Sequence, residues 1–313
     1  MPLRCVCLVV LVRTINDCAS SAAALADRQD CASSASALAD TDVERYRNDG
    51  YVIIRNLFSA DEADVLRRAI ETDPLVASND MPMVDSAGSR SKLTLWNYAG
   101  NDTFGYFARG KRWVNAARRL IGSPIYHFHT KVMLKEPRVG GTWEWHQDFG
   151  YWYQVGCLEP DKMLSAILAV DNHTVENGCM QLLSGSHRLG RLAHGVSGEQ
   201  AGVDKEALGK AVKRFPLVHA TMRPGDVLFT HSNLLHSSAP NESPSWRRSL
   251  IVAYNAVDNP PRPGTICPLP AEAPLEPLFD DAEILARGVV RIDPGRDFLD
   301  HARNAAQFSQ GSS

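Results

Sequence analysis

Short β-prone runs separated by turn residues fill residues 125–257, and this pattern restricts the fold more than any other feature of the chain. The runs are rich in branched and aromatic side chains, and glycine, proline or asparagine stands between them, as in strands joined by turns. Seven or eight short strands of this kind predict a mainly β domain with a jelly-roll fold. The runs cover residues 125–135, 143–148, 163–171, 180–183, 214–222, 226–230 and 249–257.

Helical patterns precede and flank these strands. Ser59 and Glu62 form a capping box in front of residues 63–72, whose apolar residues recur with a period of about 3.6. Residues 111–121 predict a further helix that ends before a glycine. We expect these helices to pack against one face of the β domain.

A single His-x-Asp triplet, His146-Gln147-Asp148, lies in an aromatic stretch from Trp143 to Tyr153. Residues two apart on a strand project from the same face, so both side chains can converge on one metal ion. Two imidazoles and one carboxylate are typical ligands of non-heme Fe(II) oxygenases, which keep the opposite coordination positions open. The alternative is a buried aromatic strand whose histidine is satisfied by a core hydrogen bond.

A second histidine and an arginine that fit such a site come later in the chain. His236 follows the strand 226–230 in a polar loop, and Arg247 stands eleven residues further on, at the mouth of an apolar strand. An arginine at such a place needs an anionic partner, and its planar guanidinium matches a carboxylate with two parallel hydrogen bonds. A solvated strand end is the alternative, and we assign that role to the adjacent Arg248.

Together these motifs resemble the phytanoyl-CoA dioxygenase family of Fe(II)- and 2-oxoglutarate-dependent oxygenases, which includes ectoine hydroxylase-like members. The likeness runs from about Asp49 to about Pro260, about two thirds of the chain. It implies a double-stranded β-helix, the cupin-like jelly roll with flanking helices, and the use of Fe(II), 2-oxoglutarate and dioxygen. Its specific parts are His146-x-Asp148, Glu176-Asn177-Gly178-Cys179, Gly185-Ser186-His187, Gly225-Asp226, His236-x-Ser238-x-x-Asn241 and Arg247.

The resemblance also implies roles for five residues. Iron is bound by His146, Asp148 and His236, and the distal carboxylate of 2-oxoglutarate is bound by Arg247 and Ser238. His231 competes with His236 for the third ligand position, but only His236 stands at the family's distance from the arginine. His231 is then a partner of the site residues or a core histidine.

Lys92 and Trp152 are further candidates for the cosubstrate site. Lys92 lies near where relatives with acyl substrates place a lysine that reaches 2-oxoglutarate, and an exposed lysine is the alternative. Trp152 matches a tryptophan of ectoine hydroxylase that contacts the cosubstrate, and a plain packing role is the alternative.

The strand at residues 125–135 suggests a cavity wall. Period-two alternation points His127, His129, Lys131 and Met133 to one side, a set too polar for a closed apolar core. His129 and Lys131 lie near where related enzymes contact the cosubstrate. Pairing of Lys131 with a nearby carboxylate would explain the pattern without such a function.

Length and charge favour one soluble enzyme domain. The 313 residues are 44% hydrophobic with a net charge of −3, so the chain can bury a large core and offers no basic surface for DNA or RNA. Seven cysteines without a Cys-x-x-Cys pair favour a reducing compartment, the cytoplasm, over a disulfide framework. No apolar stretch reaches the roughly 18 residues of a membrane span. The oligomeric state, monomer or dimer, stays open.

We expect the catalytic domain at residues 41–300, between a disordered Ala/Ser-rich leader, residues 1–40, and a frayed tail, residues 301–313. The leader repeats an eleven-residue unit, residues 17–27, at residues 30–40 with one substitution. Whether the leader targets an organelle stays open.

The polar segment 188–212 interrupts the strands, with a helix expected at residues 205–212. It fits a lid over the site or an exposed connecting loop.

The expected activity is hydroxylation of an unactivated C–H bond of a small polar or amino-acid-like metabolite, with release of succinate and CO₂. One alternative is 2-hydroxylation of a fatty acyl-CoA. An alternative of another class is a non-catalytic jelly-roll sensor that binds 2-oxoglutarate or a metal.

Overall fold

The computed structural model describes residues 38–157, 159–262, 275–276 and 278–299. Residues 1–37 of the predicted leader and the whole predicted tail lie outside these ranges. A compact unit begins at Leu38, whose side chain is buried. No helix of the described residues combines the length and the hydropathy needed to cross a lipid bilayer.

The described strands form two main sheets, as a jelly roll requires. They are β1 Tyr51–Ile54, β2 Met81–Val84, β3 Arg90–Trp96, β4 Ile125–Lys135, β5 Trp143–His146, β6 Met163–Ala169, β7 Met180–Leu183, β8 His194–Ser197, β9 Gln200–Val203, β10 Leu217–Ala220, β11 Val227–His231, β12 His236–Ser238 and β13 Arg247–Ala256. One sheet has the order β1-β11-β6-β13-β4-β3-β2, the other β10-β7-β12-β5, and β8 pairs with β9. All pairings between these strands are antiparallel.

The helices are α1 Asp40–Asp49, α2 Ala60–Thr72, α3 Pro74–Ser78, α4 Thr103–Ala108, α5 Lys111–Ile121, α6 Asp148–Trp152, α7 Lys205–Arg214 and α8 Ala282–Arg287. All of them except α6 and α7 contribute side chains to the core on one face of the seven-stranded sheet. The predicted capping box is present at α2: Ser59 Oγ accepts from Glu62 N at 3.1 Å, and the Glu62 carboxylate accepts from Ser59 N at 2.7 Å.

The main hydrophobic core lies between these helices and the seven-stranded sheet. On β13, Leu250, Val252 and Tyr254 enter this core, while Ile251 on the opposite face lines a cavity. This division follows from the alternation of side chains along a strand. The sheet therefore separates a closed core from an internal cavity.

A β-bulge changes the alternation on β4. The pairing of β13 with β4 steps from Ala253 opposite His129 to Tyr254 opposite His127, so Phe128 is skipped. Phe128 lines the cavity, and the Nε2 atom of His127 lies 2.7 Å from Thr130 Oγ1. The expectation that His127 shares the cavity face with His129 is therefore wrong.

Other differences from the predicted elements are local. Strand β5 ends at His146, and Asp148 is the first residue of α6 rather than part of the strand. Helix α7 continues to Arg214, which leaves the shorter strand Leu217–Ala220. Strands β2 and β3 escaped prediction because their mixed sequences show no clear alternation; pairing with β4 through β3 holds them in the sheet.

Candidate active site

The structure brings His146, Asp148 and His236 together at the cavity. One possible ligand atom from each lies within 4.8 Å of the others, a spacing that one metal ion can span. His146 and His236 are directly paired across β5 and β12, with ring centroids 4.1 Å apart. Asp148 Oδ1 lies 3.8 Å from His146 Nε2. All three side chains are buried.

Backbone carbonyls fix the rings of both histidines. Nδ1 of His146 lies 2.8 Å from the Glu144 carbonyl oxygen, and Nδ1 of His236 lies 2.9 Å from that of Leu234. Because a carbonyl can only accept, each Nδ1 carries the proton and each Nε2 lone pair is left for a metal. Ser165 Oγ donates to Asp148 Oδ2 at 2.7 Å, which leaves Oδ1 available. The donor set fits a divalent metal ion.

Burial and neighbouring charges determine the protonation states of His236 and Asp148. Burial lowers the pKa of His236 to about 4. Burial alone would raise the pKa of Asp148, but the neighbouring His146 ring and the positive charge of Lys131 hold it well below its usual range. At neutral pH His236 is thus neutral and Asp148 ionised, as metal binding requires.

The cluster lies in the wall of a cavity of about 110 Å³. Most of the wall is apolar, with the side chains of Leu95, Phe128, Met133, Trp143, Trp152, Ile167, Ile251 and Leu299 among it. Among the described residues that line it, Arg247 and Lys131 are the cations and Asp148 is the carboxylate. The cavity wall therefore offers two positively charged groups, Arg247 and Lys131, to an anionic ligand.

Arg247 is buried in this cavity wall without a carboxylate partner. Its side chain is 1% exposed, and no carboxylate of the described residues lies within 4.0 Å of it. Nη1 lies 3.9 Å from the sulfur of Met133, and Nε has no hydrogen-bond partner in the described part of the chain. Burial lowers the pKa of Arg247 to about 10. A buried cation of this kind is stabilised when an anion binds beside it.

Comparison with known proteins identifies the family. The sequence model described as "Phytanoyl-CoA dioxygenase (PhyH)" matches residues 46–249. The chain belongs to the phytanoyl-CoA dioxygenase family.

Individual members of this family and a solved structure agree. Ectoine dioxygenase of Stutzerimonas stutzeri strain A1501 is 31% identical over 69% of this chain and 76% of the relative. L-proline trans-4-hydroxylase of Streptomyces griseoviridis is 29% identical over 69% of this chain and 86% of its own. The non-heme alpha ketoglutarate dependent carbocyclase SnoK from nogalamycin biosynthesis has a TM-score of 0.62 at 25% identity, over 78% of this chain and 95% of that one.

These likenesses confirm the predicted phytanoyl-CoA dioxygenase family, the jelly-roll fold and the class of Fe(II)- and 2-oxoglutarate-dependent dioxygenase.

Other predicted site residues of this family member divide into two groups. Ser238, His129, Lys131 and Trp152 line the cavity. The rings of His129 and Trp152 meet edge to face with centroids 5.8 Å apart, and burial holds the pKa of His129 well below its usual value. Lys92 is not in the cavity wall: its ammonium lies 2.9 Å from Glu136 and 3.5 Å from Asp80. Its placement does not support a cosubstrate role, because two acidic neighbours hold it on β3.

His231 and Arg248 form hydrogen bonds and ion pairs that account for their burial without a role in the site. His231 donates through Nε2 to Asp161 at 3.0 Å and accepts at Nδ1 from Asn233 N at 3.0 Å, so neither nitrogen is left for a metal. Arg248 was expected at a solvated strand end, which is wrong. It is 9% exposed, with Nε 2.8 Å from Asp171 and Nη1 on Glu71.

Lys135 is a buried cation beside Arg247 that the sequence analysis missed. It is fully buried at the position paired with Arg247, and its ammonium donates to the Ser238 carbonyl at 3.2 Å and to that of Ala239. The period-two pattern that singled out His129 and Lys131 continues to Lys135 and could have found it.

Segment 188–212 is hydrogen-bonded to the metal-site segment through Gln147. The Gln147 side chain donates to the Gly190 carbonyl at 2.8 Å and accepts from Leu192 N at 2.8 Å. Its backbone N–H donates to His194 Nε2 at 2.9 Å. These contacts tie residues 190–194 of the segment to the residue between His146 and Asp148.

Proposed function

We propose that this protein hydroxylates an unactivated C–H bond of a small polar or amino-acid-like metabolite, using Fe(II), 2-oxoglutarate and dioxygen and releasing succinate and CO₂. The observation that carries the proposal is the presence, in one cavity, of a His146–Asp148–His236 cluster and the buried, carboxylate-free Arg247. Such chemistry needs a metal centre and a binding site for the carboxylate of the cosubstrate.

In this proposal His146 and His236 would hold the iron through Nε2, and Asp148 would hold it through Oδ1. When bound, iron with 2-oxoglutarate and dioxygen supplies the oxidation that breaks the C–H bond. Ser165 keeps Asp148 oriented through a hydrogen bond to the other carboxylate oxygen. The carbonyl contacts of the two imidazoles hold their lone pairs toward a common point.

Arg247 and Ser238 bind the distal carboxylate of 2-oxoglutarate. The guanidinium can donate two parallel hydrogen bonds to that carboxylate, and Ser238 offers a hydroxyl from the same cavity wall. Lys135 adds a second positive charge beside Arg247. A dicarboxylate offsets the burial of both cations, and the apolar walls limit the access of water.

The size of the cavity and the relatives support a small substrate. A volume of about 110 Å³ is below the several hundred cubic ångströms of sites for drug-sized ligands. The relatives carry names that refer to ectoine and L-proline. A fatty acyl-CoA substrate is not favoured, and neither is a non-catalytic sensor, since these relatives are enzymes of small metabolites.

The test is formation of succinate from 2-oxoglutarate by the full-length protein with Fe(II), oxygen and a metabolite library. We expect succinate in slight amount without a substrate and a clear increase with small metabolites, together with a product heavier by one oxygen atom. A protein that binds neither Fe(II) nor 2-oxoglutarate would overturn the proposal. His236→Ala is the inactive control.

We also propose that the enzyme works in a reducing compartment, the cytoplasm, on a small-molecule substrate. Cys179 supports this, because it is a buried free thiol in the described part of the chain.

A further inference from the structure

Lys131 is a cation of the cavity wall that the proposed chemistry leaves without a partner. It lies on β4, directly paired with Leu95 on β3 and with Ile251 on β13, and all three residues line the cavity. No carboxylate of the described residues lies within 4.0 Å of its ammonium group. A half-buried ammonium between apolar side chains is costly unless an anion joins it.

Asp148 is the carboxylate whose charge affects Lys131, but its oxygens interact with other groups. Burial lowers the pKa of Lys131, and the charge of Asp148 opposes this lowering. One oxygen of Asp148 accepts from Ser165, and the other lies toward His146 in the metal cluster. Once a metal ion takes that oxygen, Asp148 no longer balances the lysine.

Lys131 and Arg247 stand at different places along the cavity wall. Arg247 is paired with Lys135, while Lys131 is paired with Ile251, four residues further along both strands. At about 3.4 Å per residue the two backbone positions are about 14 Å apart. We assign the distal carboxylate of 2-oxoglutarate to Arg247, and Lys131 is then a separate cation for a second anionic group.

Charge also favours an anionic substrate, if the proposed function holds. The two charges of Fe(II) are offset in part by Asp148, and those of Arg247 and Lys135 by doubly charged 2-oxoglutarate. With both bound, the site retains a net positive charge of about two, one from the partly balanced iron and one from Lys131. A substrate carboxylate would neutralise it in a cavity with few polar groups.

We propose that Lys131 binds the carboxylate of the substrate, so that the enzyme acts on a small carboxylic acid whose body rests against the aromatic wall. This inference rests on the proposed function and specifies its substrate class. Phe128 and Trp152, whose rings contact each other in the cavity wall, supply the apolar surface for that body. Lys131 is thereby a specificity-determining residue.

The test compares acids with their carboxamides. L-Proline, cyclopentanecarboxylate and cyclohexanecarboxylate, each with its amide, are titrated anaerobically into full-length protein loaded with Fe(II) and 2-oxoglutarate. Binding is followed by tryptophan fluorescence, since Trp143 and Trp152 line the cavity. We expect at least one acid to bind about tenfold to a hundredfold more tightly than its amide, as for a charge-assisted hydrogen bond.

Variants test whether Lys131 causes the preference for the acid over its amide. Lys131→Met should remove the difference between acid and amide, and Lys131→Arg should retain most of it. Lys92→Met is the matched control, because that lysine is on the neighbouring strand but outside the cavity wall. It should behave as the unchanged protein does.

Affinity for 2-oxoglutarate is measured on the same samples by the visible charge-transfer band of the Fe(II) complex. An unchanged value in Lys131→Met shows that this variant is folded. The inference is overturned if no acid outbinds its amide, if Lys131→Met keeps the preference, or if this variant loses 2-oxoglutarate affinity instead. Failure of the proposed function is distinguishable, because the unchanged protein would then bind no 2-oxoglutarate.

Discussion

Arg247 on β13 and Lys135 on β4 are directly paired, and both side chains are buried. Neither has a carboxylate of the described residues within 4.0 Å. Burial, and then the charge of Arg247, holds the pKa of Lys135 well below its usual value. Two neighbouring positive charges are costly to bury, and a dicarboxylate bound beside them would offset that cost.

The first prediction concerns this pair. Arg247→Lys should raise the KM for 2-oxoglutarate by about tenfold to a hundredfold and the KM for the substrate far less, because a point charge replaces a two-pronged donor. Lys135→Met should raise the same KM by about tenfold. Steady-state succinate formation measures both, with Arg248→Lys as control. A large effect in the control and none at Arg247 would contradict the assignment.

The second prediction concerns the metal. The protein should bind about one Fe(II) per chain, and Asp148→Ala or His236→Ala should lower turnover at least about a hundredfold, because one of three ligands is lost. His231→Ala should keep its iron, since both ring nitrogens of His231 are already engaged. Iron content and succinate formation are measured together. Iron loss in His231→Ala with full activity in His236→Ala would show the opposite assignment.

The third prediction separates Arg248 from catalysis. Arg248→Met should lower the free energy of unfolding by about 1–3 kcal/mol, because it removes ion pairs with Asp171 and Glu71 in a largely buried setting. The KM for 2-oxoglutarate should stay within about twofold. Urea denaturation gives the first quantity and steady-state kinetics the second. Unchanged stability would mean that these ion pairs do not form in solution.

The fourth prediction concerns pH. Burial lowers the pKa of His173 to about 3, and its Nε2 donates to the Arg248 carbonyl at 3.0 Å. The unfolded chain protonates this histidine near pH 6.5, so the folded state binds fewer protons between pH 6.5 and about 3. The stability of the folded state is therefore fully present above pH 6.5 and is lost as the pH falls through that window.

The expected slope from one such histidine is about 1.4 kcal/mol per pH unit. His173→Gln should flatten the pH dependence of unfolding of the metal-free protein below pH 6.5, while stability above pH 7 changes by a constant amount. Thermal unfolding from pH 7 to pH 4.5 measures it. Parallel curves for both proteins would argue against a neutral buried His173.

The fifth prediction concerns the leader. Deletion of residues 1–37 should leave kcat and the free energy of unfolding nearly unchanged, because the compact unit begins at Leu38. Deletion of residues 1–40 should cost about 1–2 kcal/mol, because it removes buried Leu38 and the contacts of Arg119 with Leu38 and Asp40. Urea denaturation of both truncations tests this. Precipitation of the shorter truncation would move the domain boundary toward residue 1.

The sequence by itself determined the family, the fold class and which residues form the candidate metal cluster. Residue type and spacing along the chain can be read without a structure, and they were enough to find His146, Asp148, His236 and Arg247. Strand Ile125–Lys135 and helix Lys111–Ile121 were predicted with their observed bounds, since each is a long segment bounded by glycine or proline.

Only the tertiary structure decided which residues share the cavity. Lys92 lies outside the cavity wall and is paired with Glu136 and Asp80. Because of a β-bulge, Phe128 lines the cavity instead of His127. Leu299, from the last part of the described chain, also lines the cavity. Leu299 does so because its backbone N–H donates to the Leu95 carbonyl at 2.9 Å. The physical reason is common to all three: register, bulges and contacts between distant segments arise from pairing across the sheets, and local periodicity carries no information about them.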